Sequence, residues 1–357
     1  MRVAMILPSL ERSGPGIHVE ALSRALAKLG CYIEIFYLRD CKNKCLDFDF
    51  VECTQLTFNF EKIRKLSKFD VIHTHGFFPD LYGVLLSRLF IRTVHVSTMH
   101  NFIEHDIAGR YNGLKKKLYT CLWINVVKHV AHRVVFTDIG KQYYKSLVGG
   151  NVHKVGSGID VNLVLRKMRN NESIDLKVLE VLSKFKKNKK IIGSTSIITE
   201  IKSLDIIVRA LPQLPDYAAV FVGGGVLEND LIELASQLGV IDRCLFIGFV
   251  DNPIPYLPYF DIYAMPSRSE SFGLSLFEAI AAKLPVVCRD LPVFNELLLD
   301  VGLNKFDGSV YGFISAIKNI SNNNSKFTEI AFQRLLNEYD IRKVAYKYYD
   351  FYQGVLN

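Results

Sequence analysis

Short β-branched or apolar runs alternate with helical stretches along this chain, and after an interruption the alternation begins again. In the first half the runs are Val3–Leu7, Tyr32–Tyr37, Val71–His73, Val94–Thr98 and Val134–Phe136, with Ile17–Leu29 the clearest helix between them. In the second half Ile191–Ile192, Ala218–Val222, Cys244–Ile247, Ile262–Ala264 and Pro285–Cys288 alternate with helices over Ser203–Leu211, Glu228–Leu238 and Leu274–Ala282. A parallel neighbour is reached only through a crossover, so this rhythm implies parallel sheets covered on both faces. The interruption, residues 166–189, is charged and Asn-rich, from Arg166, Lys167, Arg169 and Asn170 to the basic run Lys184 to Lys190. We expect an α/β chain of two Rossmann-like domains, residues 1–165 and 190–340, facing across a cleft. Residues 166–189 form an exposed connection with at most one short helix, and a helix over 341–357 packs back on the first domain. A length of 357 residues with 49% hydrophobic content suffices for two cores.

Several classes are excluded early. The opening Met1–Leu7 run stops at Pro8 without a small-residue cleavage pattern, so it reads as a buried strand rather than a signal. A membrane span needs about 18 or more uncharged apolar residues. The nearest approach, Leu122–Phe136, is interrupted by Lys128, His129, His132 and Arg133, so no span is expected. Seven cysteines, scattered and odd in number, suit a reducing cytoplasm. Cys41 and Cys45 form the one close pair, and no second Cys/His cluster follows, which favours free thiols over zinc. Neither these nor His73 and His75 carry ligand spacing with a carboxylate, so no metal and no cofactor are expected.

The net charge of +8 resides wholly in residues 1–160, which predicts an anionic partner for that half. Arg110–Val127 sets Lys115, Lys116 and Lys117 beside Leu114, Leu118, Tyr119, Leu122, Trp123 and Val126, the makings of a basic amphipathic helix with an interfacial tryptophan. Such a helix lies on anionic bilayers, and we expect Lys115–Lys117 and Trp123 to touch one; a solvated lysine run over an ordinary core stripe is the alternative. Ser13-Gly14-Pro15-Gly16, between the first strand and its helix, lets backbone amides approach a phosphate or acceptor hydroxyl. It is not a dinucleotide fingerprint, because Val19 occupies the third glycine's place. Gly14 and Gly16 are therefore candidates for an acceptor or phosphate loop, and nucleic acid is not an expected partner. Asn322-Asn323-Asn324 reads as a solvated loop.

The chemistry concentrates in Asp261–Ala279, a strand, a polar loop and a helix. Glu270 lies in the loop, while Glu278 sits about one turn into a helix among Leu276, Phe277, Ala279 and Ile280. Paired carboxylate oxygens suit the vicinal hydroxyls of a ribose or hexose, and free amides at Gly273 and Leu274 suit a phosphate. A helix cap and a structural ion pair would use the same two glutamates.

Glu270-x7-Glu278 with Phe272-Gly273 resembles the signature of the retaining GT-B glycosyltransferases of family 4. The resemblance continues, in family order, through Asp70-Val71-Ile72-His73, Gly158-Ile159-Asp160, Gly223-Gly224-Gly225, Gly248-Phe249-Val250, Pro266-Ser267 and Pro285-Val286-Val287. It implies that Glu270 faces the donor sugar and Glu278 holds ribose hydroxyls. The amides of Phe272, Gly273 and Leu274 would contact the sugar or diphosphate, with Gly223, Gly248 and Val250 also on the donor and the last two near the base. It assigns His100 the role of reaching the donor sugar from the first domain, and Lys202 that of neutralising the diphosphate. Two positions depart from the pattern. Ile197 stands where the family has an arginine five residues before the lysine, leaving Arg268, Arg289 or a first-domain residue as possible substitutes, and Lys283 stands where a glycine is usual.

The resemblance implies a retaining, metal-independent hexosyl- or N-acetylhexosaminyltransferase, working peripherally on the inner face of the cytoplasmic membrane. Its donor would be a nucleotide sugar, UDP favoured. Its acceptor would be a lipid-linked saccharide in O-antigen, capsule, lipopolysaccharide or similar polysaccharide biosynthesis. A nucleotide-sugar epimerase of GT-B shape and a non-catalytic nucleotide-sugar-binding subunit are the competing readings.

Overall fold

Val3 to Leu7 form the most deeply buried strand of a seven-stranded parallel sheet, each at most 1% exposed. The computed structural model describes residues 1–41, 45–57, 60–89, 92–108, 113–170, 174–299, 302–320 and 324–357. They divide into two compact units, unit 1 comprising Met1–Ile159 with Tyr339–Asn357, and unit 2 comprising Asp160–Glu338.

Unit 1 contains strands β1 (Arg2–Ser9), β2 (Tyr32–Arg39), β3 (Glu52–Gln55), β4 (Val71–Thr74), β5 (Val94–Thr98), β6 (His132–Val135) and β7 (Val152–Lys154). Its helices are α1 (Gly14–Lys28), α2 (Phe60–Leu66), α3 (Phe77–Leu89), α4 (Ile103–Ala108), α5 (Gly113–Lys128) and α6 (Asp138–Val148). The strand order β3-β2-β1-β4-β5-β6-β7 reverses direction at β1, so the loops after β1 and β4 open at a topological switch point, where ligands of such sheets bind. Register is set by apolar pairs such as Val3 with Ile33 on one side and Val71 on the other.

α1 starts where Ser13 accepts the Gly16 amide at 3.2 Å and Pro15 occupies the first turn. It then buries Val19, Leu22 and Leu26 on one face. The last helix of the chain returns to this unit: Ile341–Leu356 packs on α1 and buries Ile341, Val344, Ala345, Tyr348 and Tyr352, one stripe at helical spacing.

Unit 2 contains β8 (Lys190–Thr195), β9 (Tyr217–Val222), β10 (Cys244–Gly248), β11 (Ile262–Met265), β12 (Val286–Arg289) and β13 (Leu303–Phe306), in the parallel order β10-β9-β8-β11-β12-β13. Its helices are α7 (Val161–Lys167), α8 (Leu176–Asn188), α9 (Asp205–Ala210), α10 (Glu228–Gln237), α11 (Leu274–Ala281), α12 (Pro292–Leu298), α13 (Val310–Lys318) and α14 (Asn324–Arg334), and the unit 1 terminal helix is α15.

The expected connection over 166–189 is corrected. The division falls at Ile159 and Asp160, and α7 and α8 both belong to unit 2, where Val164 and Leu182 are buried. Asp160 caps α7 by accepting the Leu163 amide at 2.9 Å, and within unit 1 a Cβ on Gly158 would lie 2.4 Å from the Tyr339 carbonyl. Cys41 and Cys45 are joined in a disulfide rather than free, a pairing that four residues of separation permits. Arg110, read as the start of the basic helix, and Asn322 and Asn323 of the expected loop lie outside the described residues, while Asn324 begins α14.

Candidate functional site

In unit 2 the loops that follow β8, β9 and β10 pack backbone against backbone. The Gly223 amide donates to the Gly248 carbonyl at 2.9 Å, and the Ile198 amide to that of Gly224 at 3.0 Å. Gly223 has φ 137°, and a Cβ there would stand 2.2 Å from the Ser196 carbonyl, so side chains are excluded and the peptide groups come to the sheet edge bare. Phe249 follows, 59% exposed, next to half-buried Val250.

Lys202 and Glu270, 68 residues apart in sequence, meet at this edge. Lys202 Nζ donates to Glu270 Oε1 at 2.6 Å, with side chains 26% and 11% exposed. The two loops are also joined by the Arg268 amide on the Ile201 carbonyl at 2.7 Å. Beyond Glu270, Phe272 turns inward and stacks on Phe277 with centroids 4.4 Å apart, so that its backbone alone can serve a ligand. Gly273, at φ 84°, is the N-cap of α11 and has no side chain to cap it, so the first-turn amides of Leu274 and Ser275 receive no cap from that position at the positive end of the helix.

Glu278 is 8% exposed on a helix whose other polar residue is Ser275. Its charge is felt by Tyr263, whose hydroxyl lies 3.0 Å from Thr195 Oγ1 and which burial pushes up to about 12, with Glu278 adding to the shift. Sequence reasoning passed over Tyr263, and over Ser196, whose Oγ is buried with no hydrogen-bond partner among the described residues. Ser196 follows β8 beside Gly223, and that position after a strand was the available signal.

The arginine missing at Ile197 is not supplied at Lys202 by either unit 2 substitute. Ile197 is 58% exposed at the end of β8. Arg268 is engaged by Glu200 at 2.9 Å and lines, with Glu200, Asp205, Arg209 and Asp230, a groove of about 420 Å³ that includes neither Lys202 nor Glu270. Arg289 donates Nε to the Pro266 carbonyl at 3.1 Å, and burial, then Arg268, hold its guanidinium below the usual range.

In unit 1 four histidines converge. His75 and His100 follow β4 and β5, which are neighbours in register, and their rings are 5.2 Å apart, with His73 4.3 Å from His75 and His18 of α1 5.4 Å from His100. Burial lowers His18 to about 4 and holds His73, His75 and His100 well below 6.5, so all four are neutral at pH 7. Among the described residues no group of three or more His, Cys, Asp or Glu is arranged to hold a metal ion. In the glycine loop, Gly14 has open space around it, whereas Gly16 is pressed against Leu46 and its amide is taken by Ser13, so Gly14 is the better placed of the two for a ligand.

α3 and α5 pack together and expose Phe78, Leu81, Leu85 and Leu89 on one helix and Leu114, Leu118 and Leu122 on the other, beside Lys115 and Lys117. Trp123 is not on that face. It packs inward near Phe77 with its indole nitrogen buried, because it lies a quarter-turn from the Leu114, Leu118, Leu122 stripe. Beneath the helices Asp80 accepts hydroxyl protons from Thr74 and Ser97, each at 2.6 Å. Burial pushes its carboxyl up to about 7 against the hydrogen bonds from Ser97 and Thr74. No helix among the described residues is long and apolar enough to cross a membrane.

Two Rossmann-like parallel sheets with interleaved helices match the GT-B layout. Residues 12–163 match Glycosyltransferase Family 4 and residues 180–325 match the glycosyl transferases group 1. The chain belongs to family 4 of the GT-B glycosyltransferases. It is 26% identical over 298 residues to the O-antigen biosynthesis glycosyltransferase WclY of Escherichia coli, covering 83% of this chain and 82% of that one. Over a shorter stretch, 33% of this chain and 32% of the other, it is 32% identical to the Campylobacter jejuni N-acetylgalactosamine-N,N'-diacetylbacillosaminyl-diphospho-undecaprenol 4-alpha-N-acetylgalactosaminyltransferase. Its fold matches Anabaena HepE, solved in complex with UDP and glucose, with TM-score 0.78 and 17% identity over 99% of each chain.

Proposed function

We propose that this glycosyltransferase moves a hexose or N-acetylhexosamine from a UDP-sugar to a lipid-linked saccharide, with retention at the anomeric carbon and without a metal. The carrying observation is the Lys202–Glu270 pair beside the uncapped start of α11. When the glycosidic bond breaks, negative charge grows on the departing diphosphate, and a preorganised ammonium and helix amides stabilise it. Glu278 takes the ribose hydroxyls and Glu270 the sugar, and the family resemblance assigns His100 a substrate contact. With no carboxylate nucleophile in the motif, the departing phosphate oxygen accepts the acceptor's proton on the same face, which preserves configuration. The O-antigen relative and the relative named for a diphospho-undecaprenol substrate support a glycan acceptor on a lipid, and the UDP complex of HepE supports the donor. A subunit that binds nucleotide sugar without transferring it is the second reading, favoured by Ile197 alone.

Incubation with a panel of nucleotide sugars and membrane lipid extract, following free nucleotide and product anomer, tests this. Transfer with retained configuration is expected, falling at least tenfold in Glu270→Ala and in Glu278→Ala. No transfer with any donor would leave the binding-subunit reading, and full activity in both variants would sink the site assignment.

The same reading places α3 and α5 on the inner, anionic face of the cytoplasmic membrane, where this enzyme works as a peripheral protein. Each lysine near such a surface contributes roughly 1 kcal/mol, so changing Lys115, Lys116 and Lys117 to Ser should weaken vesicle binding by at least about tenfold. Changing Leu114, Leu118 and Leu122 to Ser should do the same in neutral vesicles, where the lysines matter little. Flotation with phosphatidylserine and with phosphatidylcholine vesicles separates the two; unaltered flotation in both variants would refute the docking.

A further inference from the structure

The four histidines of unit 1 differ in what their ring nitrogens touch. His18 Nδ1 lies 2.9 Å from Ser157 Oγ, and His73 sits between the Tyr352 hydroxyl at 2.6 Å and Thr98 Oγ1 at 2.7 Å. A hydroxyl both donates and accepts, so these contacts leave either tautomer open. His75 is held differently: its Nδ1 lies 2.9 Å from His100 Nε2, and its own Nε2 is buried with no hydrogen-bond partner among the described residues. The ring has little freedom, being packed 4.3 Å from the anchored ring of His73, and its backbone amide is bound to the Ile6 carbonyl at 3.0 Å.

Two neutral imidazoles facing each other share a single hydrogen, which allows two arrangements. If His100 Nε2–H donates, the hydrogen of His75 must sit on its buried Nε2, where it finds no acceptor. If His75 Nδ1–H donates, His75 Nε2 is a bare nitrogen and the hydrogen of His100 sits on Nδ1. Buried N–H groups without an acceptor are the rarer kind of orphan, so the second arrangement is the stable one.

We propose that His75 is a positioning residue, whose Nδ1–H holds Nε2 of His100 and thereby fixes both the ring orientation of His100 and its Nδ1–H tautomer. The functional part rests on reading His100 as a substrate-contacting residue; the tautomer does not. In this state the one basic nitrogen of His100 is occupied by His75, so His100 does not act as a proton acceptor.

Long-range proton–nitrogen correlation on the full-length protein labelled with ¹⁵N-histidine reads the tautomer directly. The wild type is expected to show His100 protonated at Nδ1 and bare at Nε2. In His75→Asn the side-chain amide stands near the former Nδ1–H and donates in its place, so the tautomer persists and turnover stays within about threefold. In His75→Phe the donor is lost, His100 shifts toward the Nε2–H form, and kcat falls about ten- to a hundredfold with donor KM little changed, as misorientation predicts. An Nε2–H form of His100 in the wild type overturns the proposal, as does a tautomer and kcat unmoved in a folded His75→Phe. Should His75→Phe fail to fold, the wild-type and His75→Asn spectra decide alone. Transfer that survives His100→Ala would refute the substrate contact while leaving the tautomer result standing.

Discussion

Lys202→Ala is expected to lower kcat/KM for glycosyl transfer by about 10²–10³-fold, the size of effect seen when one preorganised stabiliser of a developing anion is removed. The loss should lie at the upper end, because neither unit 2 arginine replaces the usual second cation. Ile197 occupies its place, Arg268 is engaged by Glu200, and Arg289 is turned to the Pro266 carbonyl. Lys202→Arg should recover only part of the activity, since a guanidinium on a different stem cannot reproduce the 2.6 Å contact with Glu270. Stability responds less: a partly exposed ion pair contributes about 1 kcal/mol or less, a shift of about 2–4 °C in the melting of a unit this size. Steady-state kinetics beside a thermal melt separate the two effects. A change in kcat/KM under tenfold in a folded variant would remove Lys202 from the chemistry.

The contrast between Lys202 and Trp123 shows what the sequence could and could not reveal. Local rules were sufficient for β1, whose Val3–Leu7 run is buried on both faces, and for α1, whose Ser13 cap and Val19, Leu22, Leu26 spacing are all within one segment. The motif spacing placed Glu270 and Glu278, but their environments depend on residues far away in sequence. Nothing local brings Lys202 to Glu270 or Tyr263 near Glu278; that is done by parallel strand order. Where several hydrophobic residues crowd one helix, composition does not tell which face turns inward, and Trp123 was assigned to the wrong one. The charged stretch after Arg166 concealed α8, because lysines at Lys184, Lys186 and Lys187 line its exposed side while Leu182 faces the core. The histidine cluster escaped notice because His18, His73, His75 and His100 come from three separate segments and only the switch-point topology gathers them.

That cluster leads to the second large effect: acidification from pH 7 to 4 is expected to unfold unit 1 while unit 2 keeps its structure. All nine histidines of the chain precede Asp160, so unit 2 has none. His18 is lowered to about 4 and His95 to about 3, each chiefly by burial, while His73, His75 and His100 are held well below 6.5. A histidine whose folded pKa lies below its unfolded value binds a proton in the unfolded chain first. Between 6.5 and the folded pKa the unfolded state therefore gains on the native one as pH falls. For His18 and His95 this amounts to about 3 kcal/mol each at pH 4. Asp80 acts in the opposite sense: its folded pKa of about 7 lies above the ordinary carboxyl value, so it binds a proton first in the folded state and stabilises unit 1 on acidification. One carboxyl offsets about one histidine, and several histidines remain against a stability of about 5–15 kcal/mol for a typical domain. Hydrogen exchange followed by peptide mass analysis across pH 7 to 4 would resolve the units. Protection should be lost from β1, β4 and β5 between about pH 6 and 4 and kept in β8, β9 and β11, with His95→Gln shifting the loss to lower pH if its amide satisfies Thr74. Simultaneous loss in both units, or full protection of β4 at pH 4, would contradict the histidine origin of the acid lability.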